Sequence, residues 1–227
     1  MRGICTSIVF AIGAAAAVAA QLKTPVDWRW RLDSPATLVT GQDVPDRGWR
    51  FVGMPPGWHV TTGPGVLLFP AARTALTPNF FLEATTFLFP GDSPEEFGIF
   101  VGGGNLDAAQ SPEYTAFVIR RDGQAAIVRR TTAAVTPLVD WFSHEAVVPH
   151  RGGEDAVKNV LRVEADAAAV SLVVNGARVA KVARTEIRSD GAFGFRVGSN
   201  INIHISTLDM TMRLAPVPAP KIGPSLP

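Results

Sequence analysis

The stretch 159-NVLRVEADAAAVSLVVNGARV-179 decides the fold. Leu161, Val163 and Ala165 alternate with Arg162, Glu164 and Asp166; Val170, Leu172 and Val174 then run into Asn175-Gly176, and Val179 continues beyond it. A period of two sends successive side chains to opposite faces of a strand, so the pattern predicts half-buried strands. Asn-Gly takes the two positive φ angles of a type I′ turn at little cost, which predicts a hairpin. After Asp190-Gly191 the alternation resumes with Phe193, Phe195 and Val197, turns a Gly198-Ser199-Asn200 corner, and continues through Ile201, Ile203 and Ile205. Residues 159–212 therefore read as three consecutive antiparallel hairpin elements. Leu208, Met210 and Met212 are even-numbered where the isoleucines are odd, so a one-residue bulge is expected near Ser206-Thr207.

The rest of the chain reads in the same way. Trp28, Trp30 and Leu32 alternate as a short strand, Trp49-Arg-Phe51 and Trp58-His-Val60 flank a Gly53-Met-Pro-Pro-Gly57 turn, and Gly65 to Phe69 follows. Phe80 to Phe89 is the longest strand, and both of its faces are mostly apolar, which predicts a central position. Tyr114–Arg120 and Gln124–Arg130 flank Asp122-Gly123 as a second hairpin. Residues 131–158 are loosely patterned and long enough to cross between two sheets. About a dozen short strands with regular turn signals, no long helical periodicity and no repeat of 40 to 50 residues predict an all-β sandwich and not a propeller.

Composition narrows the function. With 227 residues the chain has room for one large β domain. Its 21 basic and 20 acidic residues leave a net charge of +1, no electrostatic basis for binding nucleic acid or an anionic membrane surface. Residues 1–20 combine Arg2, an apolar run from Ile4 to Val18 and small residues at Ala17-Val-Ala19, the pattern of a secretory signal. The run is shorter than the roughly 20 apolar residues that span a bilayer, so no membrane association is expected after cleavage. Cys5, the only cysteine, lies within that leader, so disulfides and thiolate chemistry are excluded from the mature chain. Residues 21–48 read as an N-terminal extension, 49–213 as the sandwich, and 214–227 as a tail with five prolines between Ala215 and Pro227. The expected location is secreted or periplasmic.

The order Tyr114-Thr-Ala-Phe-Val-Ile-Arg-Arg-Asp-Gly, Asn159-Val-Leu-Arg-Val, Ser171-Leu-Val-Val-Asn-Gly, Gly191-Ala-Phe-Gly-Phe-Arg-Val and Ile203-His-Ile-Ser-Thr-Leu-Asp-Met resembles the concanavalin A-like lectin/glucanase superfamily. It is most similar to secreted bacterial domains related to laminin-G modules and to 3-keto-disaccharide hydrolases. The resemblance covers about residues 49–213. It implies a jelly-roll of two antiparallel sheets, one concave, whose concave face and rim loops bind sugars.

Chemistry for turnover is sparse. The paired carboxylates of a retaining glycosidase strand are missing, since Glu95 and Glu96 are adjacent and Glu83 stands alone. Gly102-Gly-Gly104 has no helix after it to complete a phosphate cradle and reads as a flexible loop. His144 and His150 share a loop with Glu145, Glu154 and Asp155, but at no metal-ligand spacing, so no metal or cofactor is assigned. Glu83, a carboxylate within an apolar strand, faces a solvated groove or pairs with a cation such as Arg120 or Arg129. Tyr114, on a strand expected to neighbour Glu83, and Trp58, beside a Pro-Gly turn, offer aromatic surface. The candidate ligand-binding set is Trp58, Glu83, Tyr114 and Arg120. The expected function is a secreted, non-catalytic, lectin-like sandwich that binds a glycan or another extracellular ligand on its concave sheet. A glycoside hydrolase of the 3-keto-disaccharide type and a surface-interaction module are the alternatives.

Overall fold

The computed structural model describes residues 22–41, 43–45, 47–72, 79–107, 110–188 and 191–212, with side chains as far as Asp209. The expected leader and proline-rich tail lie outside the described residues. Among the described residues, fifteen strands make up two packed sheets, with a 3-10 turn at Arg184–Glu186. One sheet holds β1 (Trp28–Leu32), β5 (Val66–Pro70), β14 (Ala192–Val197), β7 (Glu96–Gly104), β8 (Glu113–Arg120), β9 (Gln124–Arg130) and β10 (Val135–Ser143), in that spatial order. The other runs β13 (Ala177–Ala183), β12 (Ala169–Val174), β11 (Val157–Ala165), β6 (Phe80–Leu88), β15 (Asn202–Met212), β4 (Trp58–Thr61), β3 (Gly48–Gly53) and β2 (Thr37–Val39). The chain passes repeatedly between the sheets, as a jelly-roll requires.

The alternation read from the sequence does the packing. Phe80, Leu82, Ala84 and Leu88 of β6, Leu161 and Val163 of β11, and Ile203 and Ile205 of β15 face Phe97 and Ile99 of β7, Phe117 and Ile119 of β8, and Phe195 of β14 across one buried core. Fully burying a side chain of this size contributes about 1.5–3 kcal/mol, so the interface between the sheets dominates stability. β6 is central, paired with β11 on one side and β15 on the other. The bulge falls where the phase of β15 slips, between Ile205 and Thr207. Asn175 and Gly176 have φ of 49° and 87°, the two left-handed conformations of the expected turn joining β12 to β13.

The structure refines the antiparallel reading at one edge and corrects several other expectations. Residues 192–205 are not a third hairpin: β14 and β15 lie in different sheets, and Gly198–Ile201 carries the chain across the core. Strand alternation specifies which face is buried, not which neighbour a strand pairs with. The segment 21–48 is not wholly outside the sandwich, because β1 and β2 close one edge of each sheet and Trp28 enters the core. β2 pairs with β3 in parallel, so the eight-stranded sheet is mixed at that edge. Residues 131–158 hold a full strand, β10, before the crossing; its register shifts near Val139 and Phe142 break the period of two that would have revealed it.

Gly102-Gly-Gly104 belongs to the end of β7, not to a free loop. A Cβ on Gly102 would collide with the Arg188 carbonyl, and one on Gly103 would lie 3.0 Å from the Ala192 carbonyl oxygen. These glycines let the backbone of Arg188 and Ala192 close against the strand.

Candidate functional site

On β14, β7 and β8 the inward residues are Phe195, Ile99 and Phe117, so their neighbours Arg196, Gly98 and Val118 point away from the core. Register aligns Arg31, Leu67, Arg196, Gly98, Val118 and Ala126 in one row across six strands. Much of this outer face is itself apolar and buried: Leu67, Phe69, Phe100, Tyr114, Ala116 and Val118 pack together with Leu106. Leu106 comes from the loop after β7, and Arg31 ties that loop down by donating to the carbonyls of Asn105 and Gln110, each at 2.7 Å.

Beyond this covered patch runs a charged row that ends in an aromatic. The Arg196 guanidinium contacts Asp33 Oδ2 at 2.7 Å through Nη2 and Glu96 Oε1 at 3.2 Å through Nε. The arginine side chain is only 7% exposed, while the two carboxylates are 34% and 22% exposed. Burial by itself disfavours the charge of Arg196, but Tyr114, Asp33 and Glu96 more than offset it and hold the pKa above the ordinary arginine value. Gly65 leaves room for this pair, since a Cβ there would press on the Asp33 carboxylate and lie 2.9 Å from the Arg196 guanidinium. Glu96 stands opposite Arg120 in register. Arg120 in turn lies over the Trp141 ring, 3.6 Å from its centroid, in a cation–π contact. The row therefore presents carboxylate acceptors, guanidinium donors and a half-buried indole side by side, the mixture that recognises a polyhydroxylated ligand.

The four residues singled out from the sequence do not form one site. Tyr114 and Arg120 share the outer face of the seven-stranded sheet, at opposite ends of β8. Tyr114 is buried, and burial raises its pKa. Glu83 lies on the other sheet, so Tyr114 is not its neighbour. Its partner is neither Arg120 nor Arg129 but Arg162, directly opposite on β11, whose Nε donates to Glu83 Oε2 at 2.6 Å. Arg162 also holds Glu164 at 3.0 Å, and these two carboxylates, Glu164 first, raise its pKa. Glu83 does border an open depression of about 700 Å³ together with Lys158 and Asn175. Trp58 turns inward, its ring 4.8 Å from that of Trp28 at the edge of the core. Sequence reasoning missed Asp33, Glu96, Arg196 and Trp141. The available signal was Arg196, a lone charge between Phe195 and Val197 in an apolar strand.

The loop histidines act on their own backbone: His144 Nδ1 accepts from Ala146 N–H at 3.1 Å and His150 Nδ1 from Gly152 N–H at 3.3 Å. Among the described residues no three His, Cys, Asp or Glu side chains gather as a metal site, and no helix is long and apolar enough to cross a membrane.

No known family profile matches the chain, and no curated protein matches it. Solved structures do. A carbohydrate-binding module, CBM66, from Bacillus subtilis superimposes with a TM-score of 0.54 at 12% identity, over 78% of this chain and 99% of the module. Sheep galectin-11, solved with glycerol, gives 0.47 at 16% identity over 61% and 93% of the respective chains. A family 7 alginate lyase, A1-II′, gives 0.45 at 10% identity over 72% and 77%. At these identities the likeness is one of fold. The chain has a jelly-roll β-sandwich architecture, the fold it shares with the Bacillus subtilis module.

Proposed function

We propose that this protein is an exported, non-catalytic glycan-binding sandwich, and that its ligand lies on the outer face of the seven-stranded sheet beside Trp141. The observation that carries the reading is the row Asp33, Arg196, Glu96, Arg120 and Trp141, in which one buried arginine fixes two carboxylates next to an aromatic ring already stiffened by Arg120. Groups fixed before binding lose little entropy when a sugar docks. The Bacillus subtilis module, named for carbohydrate binding, shares the architecture, and that is the support the fold lends. The leader at residues 1–20 supports export.

The non-catalytic reading rests on how the carboxylates are used. Asp33 and Glu96 are both engaged by Arg196, and Glu83 and Glu164 by Arg162, so each pair is committed to a guanidinium. A glycosidase needs two carboxyl groups directed at substrate.

A glycan array followed by calorimetry on the best ligand tests the proposal. Trp141→Ala is expected to weaken binding at least tenfold while circular dichroism stays unchanged. Chromogenic glycosides should show no turnover. Hydrolysis that disappears in Glu96→Gln would establish the hydrolase reading instead, and unchanged affinity in Trp141→Ala would remove the ligand from this face.

A further inference from the structure

At the end of the seven-stranded sheet away from Trp141, a cavity of about 320 Å³ opens between the start of β8, the end of β9 and the 3-10 turn. We infer that this cavity receives the carboxylate of an acidic sugar, so that the glycan of the proposed function is one bearing uronate residues; the inference deepens that reading and rests on it.

Charge is the first reason. Three arginines border the cavity, Arg129, Arg130 and Arg188, against two acidic residues, Glu113 and Glu186. Arg188 is answered by Glu113 at 3.7 Å. Arg129 and Arg130 form no ion pair within the described residues, and Arg129 Nε is buried with no hydrogen-bond partner. Both side chains are half-buried. Arg129 follows the inward phase of Ile127 and Arg130 the outward phase of Val128, so the cation left without a carboxylate inside the cavity is Arg129, and an anion entering there would offset the cost of its partial desolvation. Guanidiniums also match a carboxylate geometrically, through paired N–H donors.

Shape and lining give the second reason. The volume suits a single sugar ring better than an extended peptide, and ligand sites of 300 Å³ and above are ordinary for small molecules. Thr115 and Thr185 supply hydroxyls, and Glu186 an acceptor, around the cationic end. Such a lining suits hydroxyl groups as well as the acid. The back wall is held in place by the close approach of the Arg188 backbone to Gly102, so the cavity is built into the fold.

The test uses the full chain, with D-glucuronate against D-glucose, which differ by carboxylate against hydroxymethyl, and succinate as a carboxylate that is not a sugar. Titration by NMR or calorimetry is expected to give glucuronate at least tenfold tighter binding than either control, weakening as salt is raised from about 50 to 500 mM. Arg129→Gln with Arg130→Gln should abolish the preference while the melting temperature holds. Should the double variant unfold, Arg129→Gln alone is expected to cut it severalfold. Equal binding of glucose and glucuronate, succinate as tight as glucuronate, or a preference that survives the substitutions would each overturn the inference. The two readings separate cleanly. Neutral oligosaccharides that depend on Trp141 with no acid preference would leave the proposed function standing and sink the uronate site. Glucuronate binding that depends on Arg129 and Arg130, with no oligosaccharide bound at all, would do the reverse.

Discussion

His59 is a base held where its charged form is disfavoured. It sits on the outer face of the eight-stranded sheet, 7% exposed, with its ring 5.3 Å from Phe89 and 6.3 Å from His204. Burial first, then Arg50 and, least, His204 push its pKa from 6.5 down to about 4, against the opposing effect of a hydrogen bond to Asn202. Between these two values the unfolded chain carries a proton there that the folded protein lacks, so stability falls as pH drops through that window. The linkage relation puts the loss at the acid end at about 3 kcal/mol. Denaturant melts at pH 7 and pH 4.5 should show His59→Gln losing less stability on acidification than the parent protein. An identical loss in both would show that His59 is not the group responsible. Asn159 is a different kind of residue. Its amide exchanges two 3.0 Å hydrogen bonds with the backbone of Val148, standing in for a strand neighbour where the long crossing loop has none. Nothing in its sequence neighbourhood distinguishes it from a solvated asparagine.

At the scale of elements, tight strand packing rests on glycines as much as on large apolar groups. Gly194 on β14 lies so close to β5 that a Cβ would collide with the Leu68 carbonyl oxygen, and Gly98 on β7 stands in the same relation to Phe117 of β8. Neither has a positive φ, so both are required for space rather than for backbone conformation. Gly194→Ala is expected to lower stability by about 3 kcal/mol, at the upper end of what overpacking costs, because backbone cannot move aside as a flexible side chain can. Equilibrium unfolding measures it, and a change within about 0.5 kcal/mol of the parent would contradict the close approach. The turn at Asn175-Gly176 works by conformation instead: a Cβ on Gly176 meets nothing within 4 Å, and only its φ of 87° demands glycine.

For the whole molecule, two outer faces carry two kinds of charge pattern. The eight-stranded sheet bears the ladder Glu83, Arg162, Glu164 and Arg178, exposed enough for water and salt to screen it. The seven-stranded sheet bears a buried arginine and its two carboxylates, where removing one partner strands the others. Export is the remaining proposal at this scale, and protein recovered from periplasm or medium is expected to begin within a few residues of Gln21 on N-terminal sequencing; an intact Met1 there would overturn it. The alternation of Leu161 to Val179, the Asn-Gly turn and the bulge in β15 were legible from residue order, because period, turn conformation and phase are local properties of the chain. So was the apolar strand that became the central β6. Pairing between strands was not legible: Glu83 with Arg162, Asp33 and Glu96 with Arg196, and Arg120 with Trp141 join residues 21 to 163 positions apart. Alternation assigns each side chain a face but no partner across the sheet, so the residues of the candidate site met only when the strands took their order in space.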